Sequence, residues 1–591
     1  MYPLLAILPL FVGGLLALLL SAFHASIRYS KFAALAGSIL SSVASIALLT
    51  QQQLYHLGWF TTGGYSFGLL LSIMPINQLL LLIIALISPL IFLYAIGYMD
   101  VPSEQGRFFF ELSIFTMSMM LLAMSGDFLT MFIAWEGLGI TSYLLIGFWY
   151  HRNNPPHAAR KAITTILIGD ILMLAGMLVI WSYFHTFVFS TIISDVEALS
   201  TIPFSLVAGL LMILFGAFTK SAQFPFHEWL ADAMEGPTPV SAFLHSSTMV
   251  KAGVFVIAIL LPIFAYARLL PVMLAIGLIT TILGALGALS SSHIKKILAY
   301  STVEDLGLMF VALGLNALAA ALVFFVVQAF YKALMLMSSG TIIKANEDET
   351  YIYNLSAFGK NRVLLIAAFI GALSIAGIFP FSGFFGKIAI DSAASSNAVV
   401  YAILTVIDFV TAVYIFRWLF IPMYNQKRDP RHRLVGRYSA LKKTMVVPQV
   451  ALAALIFASA AYYIRGAGSL TAFLPGVIVE TISALFGALI ALILFRGTAG
   501  ALSERSSTRN FLSKGFYVNA FYIYVTKFIQ AIAHGIDLFD RGLNSFFYAG
   551  AKGVASIGNA IKVSQKGNVN VYIAALAVGI VLVIIMLVLI P

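Results

Sequence analysis

The sequence predicts an all-α polytopic membrane protein. It has about sixteen transmembrane helices, two inverted five-helix repeats that each contain a broken helix, and a long C-terminal lateral amphipathic helix. Three observations carry this. Of 591 residues, 61% are hydrophobic and 10% charged, against about 25% charged in a soluble domain. The apolar runs have helical length and lack the alternation of a β-barrel strand. Phe-Pro-Phe occurs twice inside such runs, at 224–226 and 379–381, each time near a lysine.

Taken in order, residues 1–100 hold three spans, near 2–22, 32–50 and 77–98. Met1 opens directly onto an apolar run with no basic stretch and no small-residue cleavage site, which reads as a retained first helix. The loop Gln51–Asn77 carries Gly58-Trp59 and Gly63-Gly64-Tyr65, a pattern for a short hairpin. Residues 101–262 form the first repeat, with spans near 108–124, 128–149, 161–186, 204–230 and 240–262. Residues 263–425 form the second, with spans near 268–290, 294–315, 317–342, 363–390 and 397–423. Five is odd, so the second repeat starts from the opposite side of the membrane. Residues 426–514 add spans near 446–463 and 472–496 with basic inner loops. Residues 515–569 are too polar to cross and too aromatic for a free loop. They read as a helix along the membrane face, roughly 65–70 Å long and flexed near Gly550 and Gly553. Residues 570–591 form an anchor.

Charge orients the chain. With the N-terminus outside, the inner side receives Arg28, Lys31, Arg107, Arg152, Arg160, Lys161, Lys295, Lys296 and the cluster from Lys427 to Lys443. The outer side receives Arg268 and Arg465. This is the positive-inside pattern, and it places both termini outside; the expected location is a prokaryotic cell membrane. The net charge of +11 reflects those inner loops, so no nucleic-acid partner is expected. There are no cysteines, which excludes disulfides, thiolate metal sites and iron–sulfur clusters in this chain. No Walker loop, dinucleotide fingerprint or metal-spaced histidine pair is present. The chain is expected to carry no cofactor and no redox chemistry of its own.

The membrane-embedded charges carry the functional reading. A lysine deep in hydrocarbon costs roughly 2.5–3.5 kcal/mol on insertion scales. Lys220 lies five residues before Pro225, and proline breaks a helix. Broken helices at membrane depth line cavities or are buried in protein. Lys387 repeats the device beside Pro380. Glu136 and Asp170 are embedded carboxylates, of which one beside Lys220 could ionise, and the expected pairing is Glu136 with Lys220. Lys332 sits mid-span and would join the half-repeats. His245 and Lys251 lie six residues apart and so face different sides of their helix. Glu304-Asp305 reads as a helix-packing pair, and His151, His157 and His293 as surface residues.

The stretches WEGLGITSYLLIGFWY, GAFTKSAQFPFHEWLADAMEGPTPVSAFLHSSTMVKAG, KKILAYSTVEDLGLMFVALG and QAFYKALMLMSSG resemble the proton-translocating antiporter-like family. Within it they are most similar to the L-type, large distal membrane subunit of complex I, the respiratory NADH:quinone oxidoreductase. The resemblance covers nearly the whole chain. It implies that Glu136, Asp170, Lys220, His245, Lys332 and Lys387 match positions of the family's proton path. It implies quinone, FMN and Fe–S clusters in partner subunits, and other membrane-arm subunits contacted by the lateral helix. The sequence departs from the family pattern at Gln328 and Phe324, where histidines are common. It departs again after Lys387, where Ile388 and Ala389 precede Asp391. Lys251 and GAFTKSAQFPFH are more similar to Mrp-type antiporters. The rival readings are a Na⁺/H⁺ antiporter subunit, or the membrane arm of a hydrogenase or carbon-uptake complex.

Overall fold

The structure is a computed structural model. It describes residues 3–22, 27–62, 65–99, 101–199, 201–356, 361–425, 442–466, 477–495, 518–564 and 567–589. The basic cluster from Lys427 to Arg437 and the segment 496–517 lie outside the described residues. Two compact units divide the chain, 1–516 and 517–591.

The first unit is helical apart from one hairpin. It begins with α1 (Leu4–Ala22) and α2 (Ile27–Leu48), then β1 (Leu54–Thr62) paired antiparallel with β2 (Tyr65–Ser72). The strands fall where the hairpin was expected. Their tip, residues 63–64, lies outside the described residues, and an irregularity between Gly58 and Phe60 shifts the register. Next come α3 (Pro75–Tyr98), α4 (Pro102–Ala123), α5 (Phe128–Ile146), α6 (Asn154–Phe184) and the short α7 (Phe189–Glu197). The first broken region follows: α8 (Phe204–Lys220), α9 (Glu228–Asp232), α10 (Thr238–Ser246) and α11 (Met249–Tyr266). Then come α12 (Leu270–Ser290), α13 (Ile294–Gly314), α14 (Leu318–Ala345), α15 (Arg362–Ile375), α16 (Ser382–Ala394) and α17 (Ala398–Asn425). The unit closes with α18 (Lys443–Gly466) and α19 (Ile482–Phe495), the latter entered through the π-helical turn Val477–Thr481.

Among the described residues thirteen helices are long and apolar enough to cross a membrane, counting α10–α11 as one. Three shorter apolar helices, α8, α15 and α19, account for the rest of the sixteen expected spans. Leu167, Ile168, Ile171, Leu174 and Leu178 of α6 point outward. An apolar exterior of this kind suits a lipid solvent, because the helices satisfy their own backbone polar groups.

Each break solves the same problem. A helix that ends inside the membrane leaves backbone N–H and C=O groups that water cannot reach. The chain leaves α8 through Ala222 (φ 49°) and leaves α15 through Gly377 (φ 75°). The Phe224 N–H donates to Thr280 Oγ1 of α12 at 2.9 Å, and the Phe379 N–H to Thr481 Oγ1 at 3.3 Å. Trp229 Nε1 donates to the Thr219 carbonyl at 2.9 Å, and the Gly383 N–H to Ser374 Oγ at 3.0 Å. Hydroxyls and an indole on neighbouring segments thus replace the missing helical partners.

One further break departs from the expected single span at 240–262. The chain bends at Ser247-Thr248, and Thr248 Oγ1 donates back to the Phe243 carbonyl at 2.6 Å. Three consecutive hydroxyl residues compete with the helical ladder there. His245 and Lys251 therefore sit on separate helices.

The second unit contains α20 (Val518–Ser564) and α21 (Val569–Leu589). α20 is 47 residues long, about 70 Å at 1.5 Å per residue. It stays helical through Gly550 and Gly553.

Candidate functional site

A row of enclosed lysines crosses the first unit, and each ammonium meets oxygen. At its first station Lys220, the last residue of α8, is fully buried. Its position at a helix C-terminus favours a cation. Nζ lies 3.8 Å from Asp170 Oδ1 of α6 and donates to the Trp135 carbonyl of α5 at 2.7 Å. The Trp135 ring stands 4.2 Å from the ammonium, and its Nε1 donates to Asp170 Oδ1 at 2.5 Å. Trp135 therefore holds both members of the ion pair. Gly139 of α5 faces the pair: a Cβ there would reach ordinary contact distance, 3.9 Å, from both Asp170 Oδ2 and Lys220 Nζ. The structure thus sets Asp170, rather than Glu136, against Lys220. Glu136 is half-buried one residue after Trp135.

At the second station α11 passes close to the end of α8. A Cβ on Gly253 would lie 2.4 Å from both the Ala217 carbonyl oxygen and Ser221 Oγ. Two residues earlier, Lys251 is fully buried and donates to the Phe325 carbonyl of α14 at 2.5 Å. Its Nζ lies 4.4 Å from the Phe325 ring. His245 on α10 is buried, and its carbonyl accepts from Gln328 Nε2 of α14 at 3.3 Å.

α14 carries the row into the second repeat. Gln328 Nε2 also donates to Asp305 Oδ2 at 3.2 Å. One turn on, Lys332 Nζ lies 2.8 Å from the same carboxylate oxygen and donates to Ser301 Oγ at 2.7 Å. Tyr414 OH of α17 donates to Ser301 Oγ at 2.8 Å, and Thr411 of α17 donates to Glu304 of α13. One turn before Thr411, Asp408 forms an ion pair with Lys387 of α16 at 2.6 Å. Gly377 clears the lysine stem, since a Cβ there would come within 2.9 Å of Lys387 Cδ.

Every residue nominated from the sequence except Glu136 is at least nine-tenths buried. Trp135, Ser301, Asp305, Gln328, Asp408 and Thr411 join them as partners. Asp305 is an ion-pair partner rather than the packing residue expected. His151, His157 and His293 are exposed, as expected.

A cavity of about 210 Å³ opens where loops of the two repeats meet, lined by Arg152, Glu235, Lys295, Lys296 and Asp348 among others. Beside it Asp232 bridges Lys161 at 2.7 Å and Lys296 at 3.3 Å. Burial pushes the Asp232 carboxyl up, but the two lysines outweigh it and hold the group below its ordinary value. For metals, the described residues offer one trio of adjacent carboxylates, Asp391, Asp408 and Glu480.

Residues 125–413 match the family described as NADH:quinone oxidoreductase/Mrp antiporter, TM, and residues 59–109 match NADH-Ubiquinone oxidoreductase (complex I), chain 5 N-terminus. NADH-quinone oxidoreductase subunit L of Campylobacter jejuni is 32% identical over 521 residues, covering 85% of this chain and 86% of that one. The subunit L of Rickettsia felis is 35% identical over 379 residues, covering 63% of this chain and 59% of its own. A chain of the Mrp complex from Dietzia sp. shares the fold, with a TM-score of 0.73 at 21% identity over 90% of this chain and 60% of that one. On the matched sequence and the shared helical architecture, the chain belongs to the antiporter-like membrane subunit family of NADH:quinone oxidoreductases.

Proposed function

We propose that the chain translocates protons as the large antiporter-like membrane subunit of a complex I-like oxidoreductase, which passes electrons from NADH or another donor to a quinone. The observation that carries this reading is the row Lys220, Lys251, Lys332 and Lys387, each enclosed and each set against oxygen. A buried ammonium is tolerated while it is paired. Moving a carboxylate towards or away from it decides whether the lysine keeps its proton. Asp170, Asp305 and Asp408 are placed to act as those carboxylates. Glu136 is the movable acid beside the first of them.

Protons enter the first repeat from the inner side, near the cavity at Arg152 and Lys296. They pass along α14 by way of Gln328 and Lys332 and leave past Lys387 to the outside. His245 stands beside Gln328 and takes part in the central transfer. Quinone, FMN and Fe–S clusters reside in partner subunits, which supply the redox energy. The chain lies in a prokaryotic cell membrane with both termini outside, and α20 lies against the neighbouring membrane-arm subunits.

The test is Lys220→Ala in the intact complex reconstituted into liposomes. The complex is expected to assemble, and its proton-to-electron ratio to fall because this subunit no longer pumps. An unchanged ratio rejects the scheme.

A further inference from the structure

The first break leaves α9 as a separate piece of helix, and its fastenings run to both repeats. No helical ladder joins Lys220 to Glu228, so α8 does not carry α9 rigidly. In its own repeat, Trp229 Nε1 donates to the carbonyl of Thr219, the residue before Lys220, at 2.9 Å. Asp232 accepts from Lys161 of α6 at 2.7 Å. From the second repeat, α13 reaches α9 with Tyr300, Lys296 and Lys295. Tyr300 OH donates to Glu228 Oε1 at 3.4 Å, and Lys296 Nζ to Asp232 Oδ1 at 3.3 Å. Lys295 Nζ donates to the carbonyls of Met234 at 2.5 Å and Gly236 at 2.8 Å, in the turn that follows α9.

These bonds bear on the lysine row at both ends. Lys295 is 7% exposed. An ammonium enclosed to this degree keeps its acceptors, because leaving it without them is costly. The turn after α9 therefore follows α13. That helix is unbroken for 21 residues. Beside Tyr300 it carries Ser301, which accepts from Lys332 Nζ at 2.7 Å, and one turn on Asp305, 2.8 Å from the same ammonium. From Lys295 to Asp305 is about 15 Å along the axis, and an intact helix passes a displacement over that length. At the other end, the Lys220 ammonium holds α8 to the Trp135 carbonyl and to Asp170. Loss of its proton weakens both contacts, since charge-assisted hydrogen bonds are the strong ones. The end of α8 is then able to shift, and Trp229 passes that shift to α9.

We propose that Lys295, Lys296 and Tyr300 are positioning residues that bolt α9 to α13, so that a change at Lys220 moves the two helices as one body and alters the spacing of Ser301 and Asp305 from Lys332. The bolt transmits the state of the first lysine station to the next repeat mechanically, alongside the charge that acts through space. The inference rests on the proton-translocating reading and adds how the two repeats exchange their state.

The experiment uses the intact purified complex and the infrared bands that Asp305→Asn removes from its redox difference spectrum. Lys220→Met is expected to shift those bands when α13 is otherwise wild type. In a Tyr300→Phe or Lys295→Met background the shift should be lost, and Lys295→Arg, which keeps the donors, should restore it. In liposomes Tyr300→Phe and Lys295→Met should lower the proton-to-electron ratio while quinone reduction continues. A role in stability alone would leave the Lys220→Met shift in place. The proposal is overturned if Lys220→Met does not move the Asp305 bands, or if it moves them equally with the bolt removed. Should Lys295→Met fail to assemble, Tyr300→Phe, which removes one oxygen and lies away from the cavity, decides in the same two directions. The Lys220→Ala ratio separates the two readings: a lowered ratio with no band shift removes the bolt and leaves proton translocation standing.

Discussion

Lys332 shows how much a single residue depends on its partners. It is fully enclosed, with Asp305 at 2.8 Å and Ser301 at 2.7 Å. Removing one partner of a buried ion pair costs about 3–5 kcal/mol, whereas replacing both by apolar groups is often neutral. Asp305→Asn should therefore lower the melting temperature of the complex and stop proton transfer through this subunit. Lys332→Met with Asp305→Leu should recover most of the stability and none of the transfer. Thermal melts and proton-to-electron ratios on the same preparations check both expectations. Asp232 behaves differently because it is partly exposed. Its folded value lies below the ordinary one, near 3.9 for an unfolded aspartate. The stabilisation is thus present above that value and lost as pH falls through the lower, folded one. With its side chain 32% exposed, the two bridges together contribute up to ~1 kcal/mol. Asp232→Asn should lower the melting temperature at pH 7, and the gap to wild type should close below about pH 4.

At the scale of the element, the apolar runs and the two prolines made most of the helices and both main breaks legible. The helices end earlier than the prolines, at Lys220 and Ile375. A helix stops where a neighbour can take over its backbone bonds, and Thr280 and Thr481 lie far away in the sequence. The same limit hid Asp408 and Trp135. Each is an unremarked residue in an apolar run until another helix brings a lysine against it. Asp170 could be read as embedded, but only the packing of α6 on α8 and the Trp135 indole show that it meets Lys220 before Glu136 does. The break at Ser247-Thr248 had a signal, three hydroxyls in a row, which a periodicity reading passes over. The threonine partner of the first break can be tested. Thr280→Val keeps the shape and leaves the Phe224 N–H without its acceptor. A fully buried unsatisfied donor costs about 1–3 kcal/mol, and the half-buried Phe224 N–H falls at or below the lower end of that range. The variant should melt lower and transfer protons more slowly through the first repeat, while Thr280→Ser should restore both.

For the whole molecule, the question is what the second unit adds. The ion pairs and hydrogen bonds of the lysine row all lie within residues 1–516, so they do not call on α20. At about 70 Å, α20 is more than twice the ~30 Å thickness of the hydrocarbon core and cannot cross it as a straight rod. Its sequence alternates aromatic and aliphatic positions with Lys527, His534, Asp537, Asp540, Arg541 and Lys552. Arg541 is bound to Asp537 one turn away at 2.9 Å, which leaves an apolar stripe for another surface. If α20 binds neighbouring subunits, a chain ending at Phe516 keeps its own fold and loses its place in the assembly. The truncated chain should insert and retain a cooperative melt. The complex isolated through a partner subunit should contain this chain at well below one copy, by native gel and mass spectrometry. Full occupancy of the truncated chain would reject the binding role for α20. It would leave the contacts of residues 1–516 as sufficient for assembly, and the length of the helix would then need a different explanation.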